Sequence, residues 1–250
     1  MTPSTNSTTC EAQRLDEAAK LYRTEAGELN RDITAYYDLR AILRHRDELG
    51  LTNAYAVMMG VGEGAAASGL APHVAHLTVV EGSGALTEDF RKIAPENVTA
   101  VHSLFEAFTP ARPLDVAIAT HVLEHVENPV AVMKQAWQWL KVGGTAFVTV
   151  PHCGSLHRRI GVKMGLLPAT NALNQQDITV GHRRVYSIPE FSADLRAAGF
   201  TIEKLGGFMI KLVSQAQMKG WPRELLDGIF EMSLEADPGL CSNLFAICRK

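Results

Sequence analysis

The sequence predicts an α/β protein built on a doubly wound, mostly parallel sheet. Short apolar runs alternate with helix-like stretches five times between residues 54 and 151. The first run, 54–59, is apolar throughout and bounded by Asn53 and Gly60, as a buried strand is. The first run ends in Gly60-Val-Gly-Glu-Gly64, a glycine-rich turn that opens the next helix.

Each element follows from local pattern. Residues 11–26 and 33–48 are rich in Ala, Leu, Arg and Glu, with apolar positions three and four apart, and read as helices. Asp32 or Thr34 offers a cap for the second, and Gly50 its stop. Strand 54–59 leads to a small-residue helix, 65–73, and strand 77–80 ends at Glu81. Helix 86–93, strand 98–101 and strand 115–119 follow, then His121 and a helix over 129–140. Residues 141–144 read as a turn, and strand 145–150 is stopped by Pro151.

The pattern then changes. Residues 155–167 look helical and 168–184 form a polar insert. Pro189 opens a helix that reaches Ala198 and stops at Gly199. Segments 200–206 and 243–248 read as strands, with one or two helices in 215–234. The expected organisation is a tail and helical lid over 1–52, then one domain over 53–250 with an insert at about 152–188.

Composition narrows the class. The 250-residue chain is 46% hydrophobic and 20% charged, which suits a large core and excludes a disordered chain. Its 24 basic and 27 acidic residues give a net charge of -3, which argues against a dedicated nucleic-acid binder or a polybasic membrane anchor. No run reaches the roughly 20 apolar residues that span a bilayer. The polar stretch 1–9 reads as a tail rather than a secretion signal. Cys10, Cys153, Cys241 and Cys248 form no C-x-x-C pair, so reduced thiols and a cytoplasmic location are expected.

Two features point to a nucleoside cofactor. The glycine turn lets a ligand approach the backbone, and Glu81 stands 21 positions after Gly60, where a carboxylate can accept both hydroxyls of a ribose. A dinucleotide and S-adenosylmethionine both use this layout. Downstream, Ser103 is placed to hydrogen-bond an adenine and Leu104 to pack on its face.

The stretch Leu114-Asp-Val-Ala-Ile-Ala-Thr-His-Val-Leu-Glu-His-Val-Glu-Asn-Pro129 decides between the two. It resembles the segment after strand four of class I S-adenosylmethionine-dependent methyltransferases, as does Leu140-Lys-Val-Gly-Gly144 before strand five. The likeness runs from about residue 54 to 150, more loosely to the end, and is nearest to small-molecule enzymes of the ubiquinone-methyltransferase and methyltransferase-11 type. Ser155-Leu-His-Arg-Arg-Ile-Gly-Val-Lys-Met-Gly165 and Gly181-His-Arg-Arg-Val-Tyr186 are similar to methyltransferases of surface-polysaccharide and secondary-metabolite pathways.

The resemblance implies a Rossmann-like sheet of seven strands, mostly parallel, with an antiparallel last strand. It implies S-adenosylmethionine as cofactor, held by Gly60, Gly62 and Gly64 at its methionine part and by Glu81 at the ribose. Ser103 and Leu104 fall at the adenine, although the usual Asp is absent at Ser103; His121 falls beside the sulfonium. Met58 stands where many relatives carry an acid, and Tyr36, Tyr37 or Arg40 of the lid could compensate, Tyr37 being the chosen contact. Glu124 and His125 invite reading as an acid–base pair, but neighbours on a helix point to different faces, and the resemblance implies that both are structural features of the turn.

The acceptor is expected beyond the carboxyl ends of strands four and five. His182 is the first choice of general base and His152 the second. His157, Arg158, Arg184 and Tyr186 are the expected substrate contacts, with Arg159 and Arg183 near them. No metal is expected, because His152, His157 and His182 lack tight ligand spacing. The expected reaction is O-methylation of a small molecule, without nucleic-acid or membrane partners and with a homodimer left open. N-methylation, a non-methylating use of S-adenosylmethionine such as cyclisation, a catalytically silent binding partner and a nicotinamide oxidoreductase are the rivals.

Overall fold

The computed structural model describes residues 14–17, 19, 20 and 24–250. Seven strands form one sheet: β1 (Tyr55–Met59), β2 (His76–Glu81), β3 (Val98–His102), β4 (Leu114–Thr120), β5 (Leu140–Pro151), β6 (Thr201–Phe208) and β7 (Asn243–Arg249). Their order is β3-β2-β1-β4-β5-β7-β6. β1 pairs in parallel with β2 and β4, and β2 with β3, whereas β7 runs antiparallel between β5 and β6. This is the expected Rossmann-like sheet with its antiparallel last strand. By packing, the chain divides into two compact units, Met1–Ile118 and Ala119–Lys250.

In the first unit, β1 is buried along nearly its whole length. Ala56, Val57 and Met58 pair with Leu77, Thr78 and Val79 on one side and with Val116, Ala117 and Ile118 on the other. Helix α1 (Tyr36–Arg44) buries Tyr37, Ala41 and Ile42. The helix 11–26 expected from sequence lies largely outside the described residues. Neither Asp32 nor Thr34 caps a helix, which corrects the expectation: Glu25–Leu29 runs through a π-helical stretch, Asn30–Ala35, directly into α1. With no Gly or Pro between Glu28 and Arg44, nothing breaks the helix, and the misfit is absorbed as wider turns. Gly50 does end the following helical turn, in left-handed backbone. Helices α2 (Ala65–Leu70) and α3 (Gly84–Arg91) follow β1 and β2.

The second unit contains α4 (Pro129–Trp139), capped by Asn128, whose side chain accepts from Ala131 N–H. The expected turn at 141–144 is instead part of β5. Gly143, at φ 74, kinks the strand, and hydrogen bonds between Gly143 and Lys250 and between Lys250 and Gly144 carry the β7 ladder past it. Nor does Pro151 stop the strand; it pairs with Asn243, and His152 continues as a bridge to Tyr186. Helix α5 (Leu156–Lys163) follows. The polar insert holds a short helix, α6 (Gln175–Thr179), closed by a reciprocal cap between Asn174 and Asp177. Helix α7 (Ile188–Ala197) has its own Ser187–Glu190 capping box, and α8 (Arg223–Ser233) precedes β7.

Phe147 of β5 is fully buried and stacks on Phe245 of β7, with ring centroids 5.7 Å apart. Phe147→Ala should lower unfolding stability by about 3–5 kcal/mol. Chemical denaturation would show it; a loss below about 1 kcal/mol would contradict this packing.

Candidate functional site

In the first unit the chain leaves β1 through Gly60, Gly62 and Gly64, at φ 82, 53 and 79. Gly64 must lack a side chain, because a Cβ there would lie 2.5 Å from the Phe90 ring. A Cβ at Gly60 or Gly62 would meet nothing within 4 Å. Those two positions are bare for the turn itself, and the space beside them is open to a ligand.

Glu81 closes β2 and is buried. Its Oε2 accepts from Val61 N–H at 3.0 Å and its Oε1 from Ser83 N–H at 2.7 Å. Burial pushes the carboxyl above its ordinary range, and these two donors oppose the shift. The carboxylate is thus anchored to the glycine turn and to the loop after β2, and each oxygen keeps a further lone pair. Ser103 N–H donates to the Glu81 carbonyl at 2.9 Å, which brings the end of β3 alongside. The Ser103 hydroxyl itself donates to the Leu104 carbonyl. Asp16 accepts from the Ser83 hydroxyl and from Ala85 N–H, tying the N-terminal segment to the same loop. The Ser83 hydroxyl lowers the Asp16 carboxyl's pKa. Tyr37 stands differently from the expected ligand contact. It is fully buried in α1, with the Arg40 guanidinium 6.0 Å from its ring, so it is packed as a core residue.

In the second unit, residues 121–127 are turns rather than a helix, so the different-faces argument does not hold there. His121 adopts φ 53, rare for a residue with a side chain. Its Nδ1 lies 2.9 Å from Glu124 Oε1. Glu124 is fully buried, and one ligand atom each from Glu124, His125 and His182 lie within 4.8 Å of one another. The His125 and His182 rings meet edge to face at 4.7 Å. Burial would raise the Glu124 carboxyl, but the His121 hydrogen bond and the surrounding imidazoles pull it down to about 2. Burial lowers His125 to about 4 despite the opposing pull of Glu124. At neutral pH the cluster therefore holds an ionised carboxylate beside a neutral imidazole.

The insert supports this cluster. His182 Nδ1 lies 3.2 Å from Asp177 Oδ1, and Arg158 donates to Asp177 Oδ2 at 3.1 Å. Asp177 is held near pKa 2, burial being outweighed by the His182 and Asn174 hydrogen bonds and the Arg158 charge. Sequence reading missed Asp177; its signal was the Asn174-x-x-Asp177 cap five residues before His182.

The expected substrate arginines are engaged elsewhere. Arg158 is buried and also donates to the Thr170 and Ala172 carbonyls. Arg184 donates to the carbonyls of Leu123, Val126 and Glu127, and Arg183 to that of His125. These guanidiniums clamp the insert and the 121–127 turn rather than presenting an open fork. Tyr186 is buried, and its hydroxyl donates to Asp194 Oδ2 at 3.0 Å, which with burial raises its pKa. His152, also buried, has Nδ1 3.1 Å from the Cys241 carbonyl and a pKa lowered by burial. His157 has a buried Nδ1 with no hydrogen-bond partner and lies near the charges of Lys211 and Arg158. His182 alone of the expected acceptor-side residues joins the Glu124–His125 cluster.

A family model described as a methyltransferase domain matches residues 32–205. No curated protein matches the chain. Solved structures do. One is an S-adenosylmethionine-dependent methyltransferase from Thermotoga maritima, described as a possible histamine N-methyltransferase. It is 19% identical at TM-score 0.63, covering 93% of this chain and 99% of its own. The N-methyltransferase NodS of Bradyrhizobium japonicum, solved with S-adenosylhomocysteine, is 14% identical at TM-score 0.58, covering 96% and 97%. An S-adenosylmethionine-dependent methyltransferase from Mesorhizobium loti is 18% identical at TM-score 0.59, covering 85% and 95%. At these identities the likeness concerns the fold. Among the described residues no helix is long and apolar enough to cross a membrane.

The setting of His157 gives a pH dependence. Burial, with Lys211 and Arg158 adding to it, lowers this imidazole from 6.5 to about 3. A folded value below the unfolded one favours the neutral ring, so its stabilisation is present above pH 6.5 and is lost as pH falls toward about 3. His157→Gln should therefore flatten the fall in Tm between about pH 6.5 and 4. Thermal melts across that range would show it; an unchanged slope would contradict it.

Proposed function

Because this chain belongs to the methyltransferase-domain family, whose methyl donor is S-adenosylmethionine, we propose that it methylates a small-molecule acceptor at oxygen. The supporting observation is the Asp177–His182 pair beside the ionised Glu124 and neutral His125. A hydroxyl nucleophile must lose its proton during attack, whereas a neutral amine need not. With Asp177 on Nδ1, His182 keeps its Nε2 lone pair available, and the acceptor's hydroxyl is activated at this cluster. His152 is less suited: it is buried, and its Nε2 packs over Gly154, where a Cβ would come within 2.7 Å.

The residues present fit the donor. Gly60 and Gly62 border open space for its amino-acid part, and Glu81 has lone pairs left for two ribose hydroxyls. Ser103 and Leu104, beside Glu81, would border the adenine. When bound, S-adenosylmethionine supplies a methyl group on a positively charged sulfur and leaves as S-adenosylhomocysteine. The chain's own work is to orient, to exclude water and to manage the acceptor's proton. Good orientation lowers such barriers by up to roughly 7–11 kcal/mol. The acidic balance of the chain and the absence of a long basic run support a small molecule over nucleic acid. Among the described residues Cys153, Cys241 and Cys248 are buried free thiols, which supports a reducing setting.

Two substitutions separate the roles. Glu81→Ala should weaken S-adenosylhomocysteine binding at least about tenfold, equal to roughly 1.4 kcal/mol. Unchanged affinity in a calorimetric titration would remove Glu81 from the site. His182→Ala should lower kcat by about 10²-fold or more while leaving that affinity within about twofold. Full turnover in this variant would contradict activation at the cluster. Mass spectrometry of the product would distinguish an O-methyl from an N-methyl group, and methylthioadenosine in place of S-adenosylhomocysteine would reveal a non-methylating reaction.

A further inference from the structure

We propose that Glu124, His125 and His182 form a binding site for a divalent first-row transition cation, which holds the acceptor's hydroxyl oxygen and promotes loss of its proton. The inference rests on the oxygen-methylation reading for its purpose, though not for the existence of the site. One ligand atom from each residue lies within 4.8 Å of the others, close enough to share one ion. Glu124 is fully buried; its Oε1 is taken by His121, and its Oε2 has no hydrogen-bond partner. A fully buried carboxylate oxygen without a donor is costly unless something positive meets it.

The imidazoles are arranged as ligands usually are. A metal-bound histidine gives its other ring N–H to a carboxylate or a backbone carbonyl, which fixes the tautomer and aims the remaining nitrogen. His182 has Asp177 on Nδ1, and Asp177 is in turn pinned by Arg158. His125 has the Gly181 backbone as hydrogen-bond partner. Each ring thus has one nitrogen committed outward and one left for the cluster. The same arrangement would orient His182 as a base, but one lone pair cannot serve a proton and a cation together, so the two roles are exclusive and separable.

Two imidazoles and one carboxylate suit zinc, iron, cobalt or manganese; magnesium and calcium require oxygen-rich shells. Three protein ligands also leave coordination positions open, as catalytic sites do. An acceptor hydroxyl bound there would lose its O–H proton to solvent while the oxygen keeps the electron pair and stays on the cation. That oxygen then attacks the methyl group of the donor, and the sulfur departs with the carbon–sulfur bonding pair.

The test uses full-length protein stripped with chelator, dialysed and titrated with Co²⁺. A visible d–d absorption saturating at one ion per chain is expected, displaced by Zn²⁺ but not by equimolar Mg²⁺. His182→Ala, at the rim of the cluster, should weaken cobalt binding at least about tenfold. Glu124→Gln should do the same if that variant folds. S-adenosylhomocysteine titrations run alongside report folding and the donor site. Absence of the absorption in the wild type, equal cobalt affinity in His182→Ala, displacement by equimolar Mg²⁺, or full turnover by metal-free enzyme would each overturn the proposal. If S-adenosylhomocysteine binds but cobalt does not, the metal site fails and the methyltransferase reading stands; the reverse pattern fails that reading and leaves the metal site intact.

Discussion

In a chain of L-amino acids, left-handed backbone costs roughly 1–2 kcal/mol per residue with a side chain. The turn after β1 enters that region at Gly60, Gly62 and Gly64. The geometry around Glu81 depends on this constraint. It keeps Val61 N–H directed at Glu81 Oε2 and leaves open space beside two of the three glycines. Gly64 is bare for a different reason, the Phe90 ring of α3 packed against it. One short motif therefore both leaves open space and admits close packing of a ring, and Glu81 joins it to the ends of β2 and β3.

The second unit solves another problem: keeping a carboxylate charged with no exposure to water. Glu124 is stabilised by His121 at 2.9 Å and by the two imidazoles near it. The turn that presents it has little regular structure of its own. Arg183 and Arg184 supply what a helix would have supplied internally, donors for the carbonyls of Leu123, His125, Val126 and Glu127. Arg158 does the same for the insert at Thr170 and Ala172. Arg158 is buried against these carbonyls and holds Asp177, the partner of His182, so its charge is spent inside the fold.

Most of the sheet was legible in sequence because its inner strands are largely apolar runs separated by turn residues; all seven strands overlap the expected segments, though β5 starts five residues early and β6 carries Glu203 and Lys204. What escaped was set by tertiary context. The 141–144 segment carries turn residues, yet hydrogen bonds to Lys250, more than a hundred positions away, hold it in β5. The π-helical stretch at Asn30–Ala35 leaves no mark in composition. The glycine turn and the strand-end place of Glu81 were legible, since backbone conformation and strand ends are local properties. The histidines and arginines of the insert were marked by residue type alone. Sequence shows that His182, Arg158 and Arg184 are near one another in the chain, but not that one joins a buried cluster while the others clamp carbonyls.

On the proposed reading, the space beside the glycine turn receives the donor's amino-acid part. Isothermal titration of the folded chain with S-adenosylhomocysteine, compared with Gly62→Ala, tests it most directly. A Cβ at that position meets no protein atom within 4 Å, so the cost to folding is that of left-handed backbone alone, about 1–2 kcal/mol, and a thermal melt checks that the variant is folded. One site per chain is expected in the wild type, with affinity reduced at least about tenfold in the variant. No heat in the wild type, or equal affinity in a folded Gly62→Ala protein, would contradict it.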